Sequence, residues 1–280
     1  MSRLTFTIAS LTVREASRRR LLLALAGISI VMIGLSAWGF DRLSSSPSFT
    51  LGESVVALSQ SLILFMFMFS FVVALTASAI ASPSVASEIE SGVIMTVVTR
   101  PINRREVIVG KWLGLAGLLL TYTAAVSLVD MAVVDWVSGY LPPSPVLVTV
   151  YLFAEGLLLL TFALFLSTRL STLAAGVVGI ALFGAAWLAG VVGSLGVAFN
   201  VSGLRTIGAI GRYVIPTDGL WRGAIYYLEP SAALPQHLLD NRSDPFTAHS
   251  GPAWTYLLWV VAWFAVVMAA GVISFERRDL

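Results

Sequence analysis

Six long apolar runs dominate this sequence, and each is long enough to cross a lipid bilayer as a helix. They cover residues 21–40, 55–81, 112–134, 147–167, 173–199 and 254–275. A helix needs about 20 apolar residues to span the hydrocarbon core. Only 11% of the 280 residues are charged, whereas about one quarter of a soluble domain is charged. The sequence therefore predicts one all-α polytopic membrane domain over residues 1–280, with six transmembrane helices.

The composition and motifs argue against several kinds of function. Cysteine is absent, and the two histidines, His237 and His249, lie twelve residues apart in one loop, which disfavours a metal site. Lys111 is the only lysine, but Trp112 follows it and Arg105 stands where a phosphate-binding loop needs glycine. We expect no bound cofactor, no metal and no nucleic acid. Because the spans carry few charges for ion coupling, energy for any work should come from another protein.

Basic residues fall unequally on the two sides of the predicted spans. Twelve lie on one side: Arg3, Arg14, Arg18, Arg19, Arg20, Arg100, Arg104, Arg105, Lys111, Arg169, Arg277 and Arg278. Five lie on the other, in longer loops: Arg42, Arg205, Arg212, Arg222 and Arg242. The positive-inside rule places the richer side in the cytosol. The pattern thus predicts a multi-pass protein of the cell membrane, with both termini, the 82–111 loop and the turn at Arg169 cytosolic.

The first twenty residues have the pattern of a helix that lies on the membrane surface. Leu4, Ile8 and Leu11 recur at helical spacing ahead of the cluster Arg18 to Arg20. Leu4, Phe6 and Ile8 also alternate as in a strand, so a strand remains an alternative. The arginines could equally be a charged anchor with no further role.

The 82–111 loop between the second and third spans contains two patterns typical of helix starts. Ser87 is followed three residues later by Glu90, and Asn103 by Glu106, which is the capping-box spacing. The first start predicts a short amphipathic helix that ends before Pro101. This segment could be a rigid helical element on which another protein acts, or only a connector that lies on the surface.

Residues 200–253 form the longest segment between spans, and its first half is not composed like a solvated loop. The periodicity predicts two short helices on either side of Pro216, the second capped by Thr217 or Asp218. Tyr213 and Trp221 are residue types that favour the membrane interface. We interpret the pair as re-entrant helices that could cap a pathway, or that merely pack over the bundle.

Two acidic residues, Asp130 and Glu155, lie within predicted spans. Glu155 is roughly 12 Å from the end of its span at 1.5 Å per residue, where an unpaired charge is costly, so it should face protein or a wet cavity. The fifth span is rich in glycine, which allows close helix approach. The second span carries a run of Phe and Met over residues 65–71; it could line a pliable cavity, but facing lipid is the favoured interpretation.

The 82–111 loop resembles one known family. Glu88-x-Glu90-x-Gly92, then Thr99-x-Pro101-x-x-Arg104, then Gly110-Lys111 is similar to the loop after the second span of ABC-2-type transporter permeases. Val93 stands where the family usually has Thr, and Asn103 where it has Ser. The ending from Phe275 to Leu280 is also similar to the family's frequent ending, and the six-span topology extends the resemblance over the whole chain.

This resemblance implies a permease that pairs with a second permease copy or homologue and docks two cytosolic ATPase subunits, which bind the ATP and magnesium. It implies contacts with the ATPase for Ser87, Glu88, Glu90, Gly92, Val97, Arg100 and Arg169. The candidates for the pathway or its gate are Glu155, Phe67, Phe71, Tyr213 and Trp221, with the second and fifth spans as lining. Arg104 and Arg105 could instead bind lipid headgroups.

Two other functions remain open from the sequence. One is a membrane-embedded enzyme with Glu155 and Asp130 as an acid–base pair, although no nucleophile or metal motif accompanies them. The other is a scaffold or sensor that uses the 82–111 loop to hold a cytosolic partner without transport. The main expectation is a non-catalytic exporter subunit.

Overall fold

The computed structural model describes residues 3–17, 20–45, 51–92, 103–229, 246–248 and 250–278, and all regular structure in these residues is helical. Nine helices follow one another along the described chain. They are α1 (Arg3–Ser17), α2 (Arg20–Ser44), α3 (Leu51–Glu90), α4 (Arg104–Ser138), α5 (Pro145–Ser167), α6 (Thr172–Ala198), α7 (Ser202–Val214), α8 (Thr217–Leu228) and α9 (Trp254–Glu276). The predicted all-α fold is confirmed.

Six of these helices, α2 to α6 and α9, are long and apolar enough to cross a membrane. Their number agrees with the prediction, but two of them extend well beyond the predicted spans. Helix α3 has 40 residues, so it is about 60 Å long at 1.5 Å per residue. Because the hydrocarbon core is about 30 Å thick, a large part of α3 must project past it.

The helix start predicted at Ser87 is wrong. Ser87 lies inside α3, where its hydroxyl donates a hydrogen bond to the carbonyl of Pro83. Helix α3 ends at Glu90, and Gly92 follows with a left-handed φ of +73°, a conformation that glycine adopts without strain. Most of the amphipathic helix predicted from Ser87 falls on residues 93–102. These residues, which include Val97, Arg100 and Pro101, lie outside the described part of the chain.

The second predicted helix start is correct in position but not in its capping bond. Asn103 has extended backbone and precedes the first residue of α4, yet its side chain makes no capping hydrogen bond. Helix α4 then continues without a break to Ser138, and its C-cap is Gly139, whose φ is +69°. The described parts of the 82–111 loop are therefore mainly extensions of the two neighbouring membrane helices.

Helices α3 and α5 form the centre of the bundle. In the most apolar stretch of each membrane-length helix, 67% of the residues are buried in α3 and 61% in α5. The corresponding share is 11–33% in the other four. Met66, Phe67 and Phe69 of α3 are all buried. The expectation that this run faces lipid is wrong for these three side chains, because α2, α4, α5 and α6 all pack against α3. Within the run over residues 65–71, Met68 is the exposed side chain.

Helix α1 crosses the first turns of α4. A Cβ atom at Gly110 would lie 2.9 Å from Ile8, and one at Gly114 would lie 3.1 Å from Thr12. Two glycines on α4 therefore allow α1 to approach closely. The helical interpretation of this segment is confirmed and the strand alternative is wrong, while its location at a membrane surface stays a prediction.

Helices α7 and α8 form a hairpin around Pro216, as the periodicity of the sequence predicted. The predicted caps are wrong: Pro216 precedes α8, and Thr217 and Asp218 are its first two helical residues. Helix α7 packs along α6, where Gly193 and Gly208 lie face to face. The glycines of the fifth span thus permit close helix packing, as expected.

Replacing Gly193 with valine should destabilise the fold. A Cβ at this position would lie 2.9 Å from the Cα of Gly208, so α7 must move away, and such overpacking costs about 1–3 kcal/mol. Gly184 on the same helix has no neighbour within 4 Å of its would-be Cβ and provides the matched control. We expect Gly193→Val to lower the Tm of the detergent-solubilised protein clearly below that of Gly184→Val. Equal Tm values would contradict the close α6–α7 contact.

Candidate functional site

The ends of α3, α5 and α9 meet the starts of α4 and α6 at one end of the bundle, which we call the Glu90 end. Five residues predicted to contact an ATPase lie in the described chain here: Ser87, Glu88, Glu90, Gly92 and Arg169. The two carboxylates and the arginine among them bond to other parts of the same chain. The outcome is a set of cross-links between helix termini.

Glu88 holds the end of α3 to the start of α4. Its Oε1 lies 2.6 Å from Nζ of Lys111. The Lys111 side chain is only 7% exposed, and its ammonium also donates to the backbone carbonyl of Ser84. A buried ammonium needs such partners because its desolvation is costly. The only lysine of the chain therefore serves to join α3 and α4.

Glu90 holds the end of α3 to the start of α6. Its two carboxylate oxygens accept from the backbone N–H of Thr172 at 2.9 Å and from the Thr172 hydroxyl at 3.1 Å. Thr172 is the first residue of α6, after the N-cap Ser171. A carboxylate at this position satisfies an otherwise unpaired N–H and interacts favourably with the helix dipole.

Arg104 and Arg105, at the start of α4, bond to the end of α9. Nη1 of Arg104 donates to the carbonyls of Phe275, Glu276 and Arg278, the last at 2.8 Å. Nε of Arg105 lies 2.6 Å from the Glu276 carboxylate. A guanidinium at a helix C-terminus satisfies the last carbonyls and complements the helix dipole. Both arginines, proposed from the sequence to bind lipid headgroups, are thus engaged within the chain.

The turn between α5 and α6 bonds to α9 as well. Arg169 donates from Nε to the hydroxyl of Ser274 at 2.8 Å and from Nη2 to its carbonyl at 3.1 Å. Arg278 in turn donates to the carbonyl of Thr168. With the α3–α4 and α3–α6 links, these bonds tie the termini of five membrane-length helices into one network.

In the middle of the bundle, Glu155 of α5 is buried and bonded to α3. The Ser70 hydroxyl donates to its Oε2 at 2.9 Å, and Glu155 faces protein, which was one of the two surroundings expected for it. Ser70 lies within one helical turn of both Phe67 and Phe71 along α3. Glu155 and two of the predicted pathway residues therefore lie in the same layer of the bundle.

Phe67 is the centre of an aromatic cluster. Its ring centroid lies 5.0 Å from Phe71, 5.2 Å from Trp187 and 5.5 Å from Trp221. The predicted residues Phe67, Phe71 and Trp221 are therefore brought together, joined by Trp187 of α6, which the sequence analysis did not single out. Tyr213 lies apart, where it contacts Trp259 of α9 and is about half exposed.

Asp130 occupies different surroundings from Glu155. It lines a small recess with Met32, Phe65, Phe69 and other side chains of α2, α3 and α4. Among the described residues no hydrogen bond joins it to Glu155, and no group of three acidic or histidine side chains is arranged to hold a metal. This arrangement gives no support to an acid–base pair of an enzyme.

The opposite end of the bundle carries a charged cluster that the sequence analysis missed. The carboxylate of Asp218, at the start of α8, accepts from Nε of Arg212 at 3.3 Å and from Nε of Arg222 at 3.1 Å. Nη2 of Arg222 also donates to the Ser194 hydroxyl of α6 at 3.0 Å. We call this the Asp218 end. The i, i+4 spacing of Asp218 and Arg222 was the one signal in the sequence that could have indicated it.

The comparison with known families decides the class of protein. The model of the family described as ABC-2 family transporter protein matches residues 6–280. The chain belongs to this family. The resemblance of the 82–111 loop is thereby confirmed, and this ABC-2 protein is a multi-pass membrane permease of an ABC transporter rather than a catalytic subunit. It has no match among curated proteins.

Proposed function

We propose that this ABC-2 permease is the membrane subunit of an ATP-driven exporter. It pairs with a second permease copy or homologue and receives its energy from two separate cytosolic ATPase subunits at the Glu90 end. The observation that carries this proposal is the family match over residues 6–280 together with the network of bonds at the Glu90 end. ATP and magnesium are bound by the ATPases and not by this chain.

The network supports a role in force transmission. A push on one helix terminus moves only that helix if the termini are independent. Here α3 is bonded to α4 through Glu88 and to α6 through Glu90, while α4 and the α5–α6 turn are bonded to α9. A displacement applied between α3 and α4 would therefore be shared by most of the bundle.

The bonds also divide the proposed coupling residues into two groups. Glu88, Glu90 and Arg169 already bond within the chain, so we assign them to positioning the contact surface. Val97 and Arg100, which belong to the connection between α3 and α4, are the candidates for direct contact with the ATPase. Ser87 and Gly92 shape the end of α3 that leads into this connection. On the positive-inside rule this end and both termini are cytosolic.

The proposed pathway runs beside α3 and α6, with Phe67, Phe71, Trp221 and Glu155 close to it and Tyr213 at the α7–α8 gate. An open apolar groove of about 540 Å³ between α2, α3 and α6 supports pairing with a second permease. Leu173 and Val177, which line it, are largely exposed in the single chain. The lining also includes the small residues Ala79 and Gly176, and small residues let membrane helices approach closely.

A co-purification experiment tests this function. The permease is expressed with a candidate ABC ATPase from the same organism, and we expect a stable complex whose ATP hydrolysis is stimulated by the permease. The double variant Val97→Asp/Arg100→Glu should lose most of the bound ATPase. Asp135→Lys, an exposed change near the far end of α4, should retain it.

Two outcomes would contradict the proposal. If the double variant binds the ATPase as well as Asp135→Lys does, the assigned contact surface is wrong. If a complex forms but the permease never changes the rate of ATP hydrolysis, the chain is a scaffold and not an exporter subunit.

A further inference from the structure

Two cavities lie next to each other around the α7–α8 turn. The first, about 410 Å³, lies between α7, α8 and the start of α9 and is lined by Arg212, Tyr213, Arg222, Ser250 and Tyr256, among others. The second, about 300 Å³, lies between α5, α6 and α9, and its lining is apolar: Leu158, Phe162, Leu182, Ile215, Trp263 and Val267 are among its residues. One cavity is thus polar and charged, and its neighbour is almost entirely hydrocarbon-like.

Among the described residues that line the polar cavity, the charged side chains are those of Arg212 and Arg222. Two guanidinium groups, of Arg212 and Arg222, share the single carboxylate of Asp218. The Arg212 side chain is 40% exposed, and only its Nε takes part in the bond to Asp218. Among the described residues its two terminal nitrogens have no acceptor. A guanidinium with its outer nitrogens available suits a phosphate or carboxylate group.

The two cavities are held in a fixed relation by α9. The indole N–H groups of Trp259 and Trp263 donate to the backbone carbonyls of Tyr213 and Val214, both at 2.9 Å. Along α9, Tyr256 lines the polar cavity and Trp263 lines the apolar one, about 10 Å further into the bundle at 1.5 Å per residue. A polar, charged cavity near the helix end and an apolar cavity deeper along the helix match the headgroup and the acyl chain of a lipid in a bilayer.

We propose that these cavities form a binding site for an anionic phospholipid. Its phosphate lies against Arg212 and Arg222 at the end of the bundle, and one acyl chain follows α9 into the apolar cavity beside Trp263. The planar guanidinium of arginine matches the geometry of a phosphate group and can donate two hydrogen bonds to it. The site is separate from the ATPase contact and is assayed without any ATPase, so its failure would leave the proposed exporter function untouched.

Quenching of Trp263 by brominated lipids tests the site. The protein is placed in phosphatidylcholine nanodiscs that contain a small fraction of dibrominated phosphatidylglycerol or of dibrominated phosphatidylcholine. The contribution of Trp263 is the difference between the wild-type protein and Trp263→Phe. One charge-assisted contact contributes about 1.5 kcal/mol, so we expect the anionic lipid to quench Trp263 with roughly tenfold higher apparent affinity. Trp38, which is exposed on α2, should show no preference in the same assay.

Three variants separate the charge from the cavity. Arg212→Gln should remove most of the preference and Arg212→Lys should keep part of it. Val267→Phe, which fills the apolar cavity, adds no tryptophan and leaves the arginines unchanged, should abolish the preferential quenching of Trp263. Equal quenching by both lipids in the wild-type protein, or a preference that survives both Arg212→Gln and Val267→Phe, would overturn the proposal. Binding of inorganic phosphate with no lipid preference would also overturn it and would indicate a site for small anions.

Discussion

Replacing Glu88 with alanine should lower the free energy of unfolding by about 3–5 kcal/mol, the usual cost of removing one partner from a buried ion pair. The Lys111 side chain is 7% exposed, so without Glu88 its ammonium stays buried and, among the described residues, keeps the Ser84 carbonyl as its one acceptor. The measurement is the Tm and the chemical unfolding of the purified permease in mixed micelles.

Glu276→Ala is a matched control at the same end of the bundle. Its pair with Arg105 has the same 2.6 Å separation as the Glu88–Lys111 pair, but the Arg105 side chain is 72% exposed. Exposed ion pairs contribute little to stability because solvent screens them, so this change should have little effect. The double variant Glu88→Gln/Lys111→Met removes both charges and should recover most of the stability lost in Glu88→Ala. If both single variants lose the same stability, burial does not govern the Glu88 link.

The second large effect is expected at the other end of the bundle. Among the described residues, Asp218→Ala removes the carboxylate that is bonded to both Arg212 and Arg222. The Asp218 side chain is 5% exposed and that of Arg222 is 19% exposed, so a guanidinium is left largely buried without a counter-charge. We expect a loss of about 3–5 kcal/mol, seen as a lower Tm and as loosened packing of α8.

Asp135→Ala provides the comparison for Asp218→Ala. Asp135 is exposed near the end of α4, and surface changes of this kind usually stay within about 0.5 kcal/mol. Asp218→Asn keeps the shape and one acceptor but loses the charge, so its effect should fall between the two alanine variants. An Asp218→Ala protein as stable as Asp135→Ala would show that α8 is held mainly by its apolar contacts.

The number of membrane helices was predictable because the length and hydrophobicity of a span are local properties. The close contact of α6 with its neighbours was predictable for a similar reason, since glycines such as Gly193 signal it directly. The position at which α3 ends was not predictable from the sequence. A serine followed three residues later by glutamate fits a helix start, but Ser87 bonds back to Pro83 and Glu90 reaches across to Thr172. Spacing alone does not reveal which backbone groups a side chain reaches.

Burial of the second span and the charged cluster at the α7–α8 hairpin depend on tertiary packing. Phe67 and Met66 face protein because four helices surround α3, and composition does not report how many neighbours a span has. Arg212 meets Asp218 only because the chain turns back at Pro216. The sequence indicated the proposed pathway residues Phe67, Phe71 and Trp221. It did not indicate Trp187, whose ring packs against Phe67 and Phe71.

Pro83 gives α3 a local weakness with a mechanical consequence. A proline has no N–H to donate to the carbonyl four residues earlier, so a helix bends most easily there. Lys111 of α4 bonds to Ser84 and Glu88 of α3, both of which follow the proline within five residues. Bending at Pro83 therefore carries α4 with it. Any bend of α3 at this point would thus change the tilt of two helix ends at once.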